Sequence, residues 1–245
     1  MEGYDASTYG DRFVDVYDDW YGSITDTEAC VDALVRLAVD GPVLELGVGT
    51  GRLALPLAAR GLRVVGVDAS RAMLDALATK DPDRSVTPLL GDMTAPPTGA
   101  ERFTLVAVAY NTLFNLVAPG AQAACFVAAA QRLADGGAFV VEAFVPGPDF
   151  GAADLVAPKE VTADKVVLSV TRAHPDRQEL VGQYVDITAA GIALRPWHIR
   201  WSTPAQLDAL AHDAGLRLAD RWADWSRTPF DDASPAHVSV YRRAG

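Results

Sequence analysis

Three glycines, Gly47, Gly49 and Gly51, sit between an apolar run, Pro42 to Leu46, and the helical pattern that begins at Arg52. Glycine lets a chain reverse sharply and lets a ligand approach with no Cβ in the way. A second apolar run, 62–68, closes on Asp68, with Ala69 and Ser70 leading into the next helix. A carboxylate at that place can accept hydrogen bonds from both hydroxyls of a ribose. The two features place an adenosine-type ligand across the ends of adjacent parallel strands.

The glycine spacing selects among such ligands. A dinucleotide turn needs G-x-G-x-x-G, and the third glycine's place is held by Arg52. Glu45 stands two residues before Gly47, where a carboxylate would repel a pyrophosphate and suit a cation. The stretch Glu45-Leu46-Gly47-Val48-Gly49-Thr50-Gly51 resembles the E/D-x-G-x-G-x-G motif of class I S-adenosylmethionine (SAM)-dependent methyltransferases. That resemblance spans about residues 40–145 and implies SAM as cofactor and S-adenosylhomocysteine as product. It assigns Asp68 to the ribose, Asp92 to the adenine amino group and Met93 to the ring face, with Ala69 also counted among the cofactor-binding residues. It puts Tyr110 and Asn111 beside the methionine end and the methyl acceptor. The family's base-amide and glutamine-amide enzymes carry N/D-P-P-Y after the fourth strand. Here Tyr110-Asn111-Thr112-Leu113-Phe114-Asn115 takes its place, which points toward small-molecule acceptors such as sugars and secondary metabolites. Transfer to an oxygen or a nitrogen is expected. A nicotinamide-dependent dehydrogenase and a SAM-binding protein without turnover are the alternatives.

Tyr9, Phe13, Tyr17, Trp20 and Tyr21 form a helical stripe that is either a packing face or a lid. Aromatic faces attract cations, and Tyr17, then Tyr9, is the candidate for the cofactor's sulfonium. Asn111, Asn115 and Glu142 lie where an acceptor should bind: the asparagines to orient it, Glu142 to hold an amine or act as base. Among the four histidines, His198 in Pro196-Trp197-His198-Ile199-Arg200-Trp201 is the candidate general base. Alternation puts His198 and Arg200 on one face, with Trp197, Ile199 and Trp201 on the other. Arg200 is a candidate partner for Glu142 or a substrate carboxylate.

These residues need a scaffold. Strands are expected at 42–46, 62–68, 85–92, 103–111 and 138–144. Helices are expected at 5–21, 26–39 (capped by Asp26 or Thr25), 52–60 (kinked at Pro56), 70–80 and 120–134, the last stopping at Gly136-Gly137. Near-continuous apolar strands alternating with helices predict an α/β fold, a doubly wound, mostly parallel seven-stranded sheet. Three alternating runs in 158–201, separated by Pro175-Asp176 and Ala190-Gly191, predict an antiparallel β insertion. The chain reads as one domain: a lid helix in 1–25, a cofactor core in 40–145, the insertion in 157–201 over the substrate side, and a closing helix and strands in 202–245.

Composition narrows the partners. The net charge is −11, which disfavours nucleic acid and anionic membrane surface. Only three lysines occur, Lys80, Lys159 and Lys165. Cys30 and Cys125 fall in apolar helical patterns and read as buried thiols. No Cys/His spacing suggests a metal. The first residues lack the basic and apolar segments of a secretory signal, so a cytoplasmic protein is expected. It would be a monomer, or a homodimer paired through the meander's edge.

Overall fold

The first strands are nearly continuous apolar runs, broken chiefly by Glu45 and Asp68, so the sheet must be covered on both sides. In the computed structural model, which describes residues 1–22 and 26–243, this is the arrangement. Strands β1 (Val43–Leu46), β2 (Val64–Asp68), β3 (Val86–Leu90), β4 (Phe103–Val108), β5 (Leu133–Phe144), β6 (Leu216–Trp222) and β7 (Ala236–Arg243) make one sheet in the order β6-β7-β5-β4-β1-β2-β3. The first five are parallel, and β7 runs antiparallel to β5 and β6. Successive residues serve opposite faces. Val43, Val64, Leu105 and Val140 join a cluster with helices α1 (Thr27–Ala38), α2 (Ala54–Ala59) and α3 (Arg71–Lys80). Leu44, Val65, Val106 and Val141 join the other cluster with α4 (Ala121–Arg132) and α5 (Pro204–Asp213). Cys30 and Cys125 are buried free thiols, one in each cluster.

Several sequence expectations are corrected. The single helix expected at 5–21 is two short ones, Thr8–Phe13 and Tyr17–Tyr21. Val16 leaves helical geometry at φ −121°, ψ −3°, and the β-branched pair Val14 and Val16 is poorly suited to carrying a helix through. Asp26 caps α1, accepting from the Ala29 amide at 3.0 Å; Thr25 lies outside the described residues. Pro56 falls in the first turn of α2, where its missing N–H costs nothing and no kink is required. Helix α4 ends at Arg132, not at the Gly136-Gly137 stop. Leu133 is already extended, and the glycines lie inside β5, next to its register shift against β4.

The insertion is a separate antiparallel sheet of four strands, not three: Leu155–Val161, Lys165–His174, Glu179–Thr188 and Gly191–Arg200. The additional strand carries Pro158, which interrupts its pattern and is tolerated because the strand is at the edge. As alternation requires, Trp197, Ile199 and Trp201 face the second core cluster. Among the described residues no helix is long and apolar enough to cross a membrane.

Candidate active site

The cleft opens at the C-terminal ends of β1, β2 and β3, where an open α/β sheet binds its ligands. Its floor is the glycine turn, in which Gly47, Gly49 and Gly51 have φ of 76°, 55° and 88°. A Cβ on Gly47 would collide with the Thr112 side chain, and one on Gly51 with Leu77. Gly47 and Gly49 line the cleft together with Asp68, Ala69, Asp92 and Met93. Asp68 accepts from the Gly49 amide at 2.8 Å and from the Ser70 amide at 2.9 Å. These bonds hold the carboxylate in place and leave acceptor capacity for a diol. Burial nonetheless pushes its pKa above the usual carboxylate range. Asp92 is exposed and fixes its own loop by accepting from the Thr94 amide at 2.7 Å.

Glu45 lies beneath this surface, 5% exposed, and its Oε2 has no hydrogen-bond partner. Desolvation raises its pKa to about 8, against the opposing pull of the Arg52 guanidinium. Burial likewise raises the pKa of Glu142, and Arg52 again opposes the shift. Arg52 also lies 5.5 Å from the Tyr110 ring centroid. Two buried carboxyl groups thus face one guanidinium; burial favours their protonated forms, and a cationic ligand at the turn would favour their ionisation. The role of Arg52 was legible only as a missing glycine; nothing in sequence spacing shows which carboxylates it reaches.

At the end of β4, Tyr110 and Asn111 both adopt left-handed backbone, at φ 51° and 61°. For non-glycine residues that conformation is strained and needs support. Glu142 supplies it, accepting from the Tyr110 amide through Oε2 (2.8 Å) and from the Asn111 amide through its carbonyl (3.1 Å). Asn111 Oδ1 in turn accepts from the Phe144 amide at 2.7 Å. The cleft wall at this point is made by Thr112, Asn115 and Leu116. Asn111 and Glu142 stand behind it and hold its shape.

The N-terminal segment roofs the cleft with Tyr4, Asp5, Ala6, Tyr9, Gly10 and Tyr17. Tyr4, Asp5 and Ala6 precede the aromatic stripe and carried no sequence signal. Burial raises the Tyr17 hydroxyl to about 12, and Arg52, Asp68 and Glu45 all act on it electrostatically. Phe13 anchors the roof: it is fully buried and stacks on Tyr9 at 4.3 Å, a burial worth about 2–3 kcal/mol. Polar latches join it to the core. Asp11 accepts from Ser70 Oγ (2.6 Å), and Asp18 accepts from Thr50 Oγ1 (2.6 Å) and pairs with Lys80 (2.8 Å). Arg195 of the inserted sheet donates to the Arg12 carbonyl at 2.7 Å and to Asp15 at 2.5 and 2.9 Å. Gly10 packs so closely on Ser70 that a Cβ would not fit.

His198 is one layer out. It does not line the cleft; it packs edge-on against Tyr4, with ring centroids 5.8 Å apart. Its Nε2 is 3.5 Å from Glu179, and desolvation lowers its pKa, keeping the ring neutral. Arg200 pairs with Glu179 at 2.5 Å, not with Glu142.

Comparison with known proteins agrees with this architecture. A family described as a methyltransferase domain matches residues 43–137. The chain is 38% identical to the CcbJ methyltransferase of Streptomyces caelestis, whose solved structure superposes with a TM-score of 0.91, covering 99% of this chain and 100% of that one. It is 29% identical to the cypemycin N-terminal methyltransferase of a Streptomyces species, over 98% of this chain and 99% of the relative. The SAM-bound amino pentose methyltransferase CalS10 of Micromonospora echinaspora shares the fold, with a TM-score of 0.70, 23% identity, and coverage of 94% and 97%.

Proposed function

The chain belongs to the class I SAM-dependent methyltransferases, and on that premise we propose that it methylates a nitrogen or oxygen nucleophile of a small molecule bound between the glycine turn and the inserted sheet. The observation that carries this reading is the roofed cleft, where Gly47, Gly49, Asp68 and Asp92 face Tyr9 and Tyr17 over the buried, unpaired oxygen of Glu45. Family membership replaces the dehydrogenase alternative. Bound SAM supplies an electrophilic methyl group. In this reading Asp68 and Ala69 hold the ribose, while Asp92 and Met93 take the adenine. Glu45 and Tyr17 favour the cationic end. Asn111, Glu142 and Tyr110 set the wall against which the acceptor lies. The roof aligns acceptor with methyl and excludes water, which is most of what a one-step displacement requires.

Nitrogen is the favoured acceptor. The cypemycin relative acts, by its name, on an amino terminus, and a neutral amine needs alignment rather than a base. A hydroxyl acceptor would need a base as well, and His198 could reach it only if Tyr4 moved aside. The test is incubation of protein and SAM with matched amino- and hydroxyl-bearing sugars and short peptides, with S-adenosylhomocysteine release and product mass as readouts. Turnover on amines is the expected result. Turnover confined to hydroxyl compounds would reverse the nitrogen assignment. Tight SAM binding with no turnover on any compound would favour a binding protein.

A further inference from the structure

Lys159, on the edge strand of the inserted sheet, places its ammonium nitrogen 5.0 Å from the Trp20 ring centroid, 5.3 Å from Tyr184 and 5.9 Å from Tyr21. The rings do not stack. Trp20 meets Tyr184 at 87° and Tyr21 at 73°, with centroids 5.5 and 6.5 Å apart, so they form walls around the cation. Lys165 and Arg195 also lie over Trp20, each at 5.6 Å. Both are held by carboxylates, Lys165 by Glu160 at 3.0 Å and Arg195 by Asp15. From Tyr21 the aromatic surface runs on to Tyr17 at 5.1 Å and Tyr110 at 5.9 Å, beside the glycine turn. The three-walled box and the candidate methyl-transfer site therefore share one continuous lining.

Three aromatic faces suit an alkylated ammonium better than a lysine. A primary ammonium is strongly hydrated and gives up three donor sites when ring faces surround it. A methylated ammonium has fewer donors to lose and spreads its charge over methyl groups that touch the rings. An amine that accepts a methyl group becomes an ammonium in the same step, because its lone pair becomes the N–C bond while the C–S pair returns to sulfur. We infer that the box of Trp20, Tyr21 and Tyr184 is a subsite for a methylated ammonium group of the acceptor or product, and that Lys159 is an intramolecular occupant which that group displaces. The inference rests on the nitrogen reading above and adds the charge of the bound group and the residues that recognise it. Lys159 acts as a competitor, setting a threshold that a weakly interacting cation does not pass.

The probe is tetramethylammonium chloride, titrated at fixed ionic strength into wild type and Lys159→Ser. The indole N–H resonance of Trp20, assigned with Trp20→Phe, is followed by NMR. Saturable shifts are expected, about fivefold tighter in Lys159→Ser, as suits removal of an occupant held by about 1 kcal/mol. Tyr184→Leu should lose saturation, and uncharged tert-butyl alcohol should give none. Equal affinity in wild type and Lys159→Ser, or an equal response to tert-butyl alcohol, would overturn the subsite. SAM affinity measured on the same samples separates the two claims. Retained SAM binding without a saturable tetramethylammonium response removes the box alone. Loss of SAM binding in wild type removes the cofactor assignment and leaves the tetramethylammonium result interpretable. Retained SAM affinity in Tyr184→Leu also shows that this variant is folded.

Discussion

Glu45 gives the account its most quantitative test. Its pKa of about 8 means that at pH 7 only about one such side chain in ten is ionised when no ligand is bound. A cation at its unpaired oxygen selects the carboxylate, so binding must expel nearly one proton. Below pH 8, affinity should therefore fall by up to about tenfold per pH unit on account of this group. The amino group of SAM titrates as well, so the quantity to read is the difference between wild type and Glu45→Gln. Calorimetry of SAM at pH 6 to 8.5, in buffers of different ionisation enthalpy, should show proton release in wild type that the variant lacks. Stability has the opposite sign. The carboxyl's folded pKa is raised above its ordinary value, so its contribution is full below about pH 4.5 and is lost as pH climbs to about 8. Unliganded Glu45→Gln should then be more stable than wild type at pH 8.5, on the order of 5 kcal/mol, while binding SAM more weakly. Identical proton release in both proteins would refute the placement of the cation at Glu45.

Other consequences follow from the roof and the far edge of the sheet. Deleting residues 1–21 removes Tyr4, Tyr9, Tyr17 and the Phe13 anchor, and should weaken SAM binding at least tenfold by calorimetry; unchanged affinity and turnover would remove the lid. Arg195→Met breaks the latch to Asp15 and Arg12 and leaves the buried Asp186, 3.6 Å away, without its guanidinium. A loss of about 3 kcal/mol in urea unfolding is expected, together with faster hydrogen exchange in residues 8–21. His237 is fully buried, with Nδ1 2.8 Å from Ser239 Oγ, and desolvation lowers its pKa to about 4. Its folded value is depressed, so its contribution is present above about pH 6.5 and is lost as pH falls toward 4. Wild type should lose about 3 kcal/mol across that window that His237→Asn does not.

The core strands were legible because they are largely apolar on both faces, and the candidate cofactor residues stood out because glycines and carboxylates fell at fixed spacing along them. Backbone detail was less visible. Nothing at Tyr110-Asn111 announces two consecutive left-handed residues, since the Glu142 and Asn111 bonds that hold them join strands distant in sequence. The continuous helix expected through Val14–Val16 rested on aromatic spacing, which persists across the break because both short helices pack on the same surface. His198 was singled out by residue type, and only the fold puts Tyr4 between it and the cleft. Lys159 was counted as a lysine and given no role, because the rings around it come from the N-terminal segment and from a strand two places away in the inserted sheet.

The central claim is that the turn at Gly47–Gly51 and Asp68 bind SAM. Calorimetric titration of wild type and Asp68→Ala with SAM, S-adenosylhomocysteine and NADH tests it directly. Micromolar binding of the first two alone, weakened about 30-fold or more in Asp68→Ala by the loss of charge-assisted hydrogen bonds to the ribose, is the predicted result. Undiminished SAM affinity in the variant, or binding of NADH in place of SAM, would contradict it.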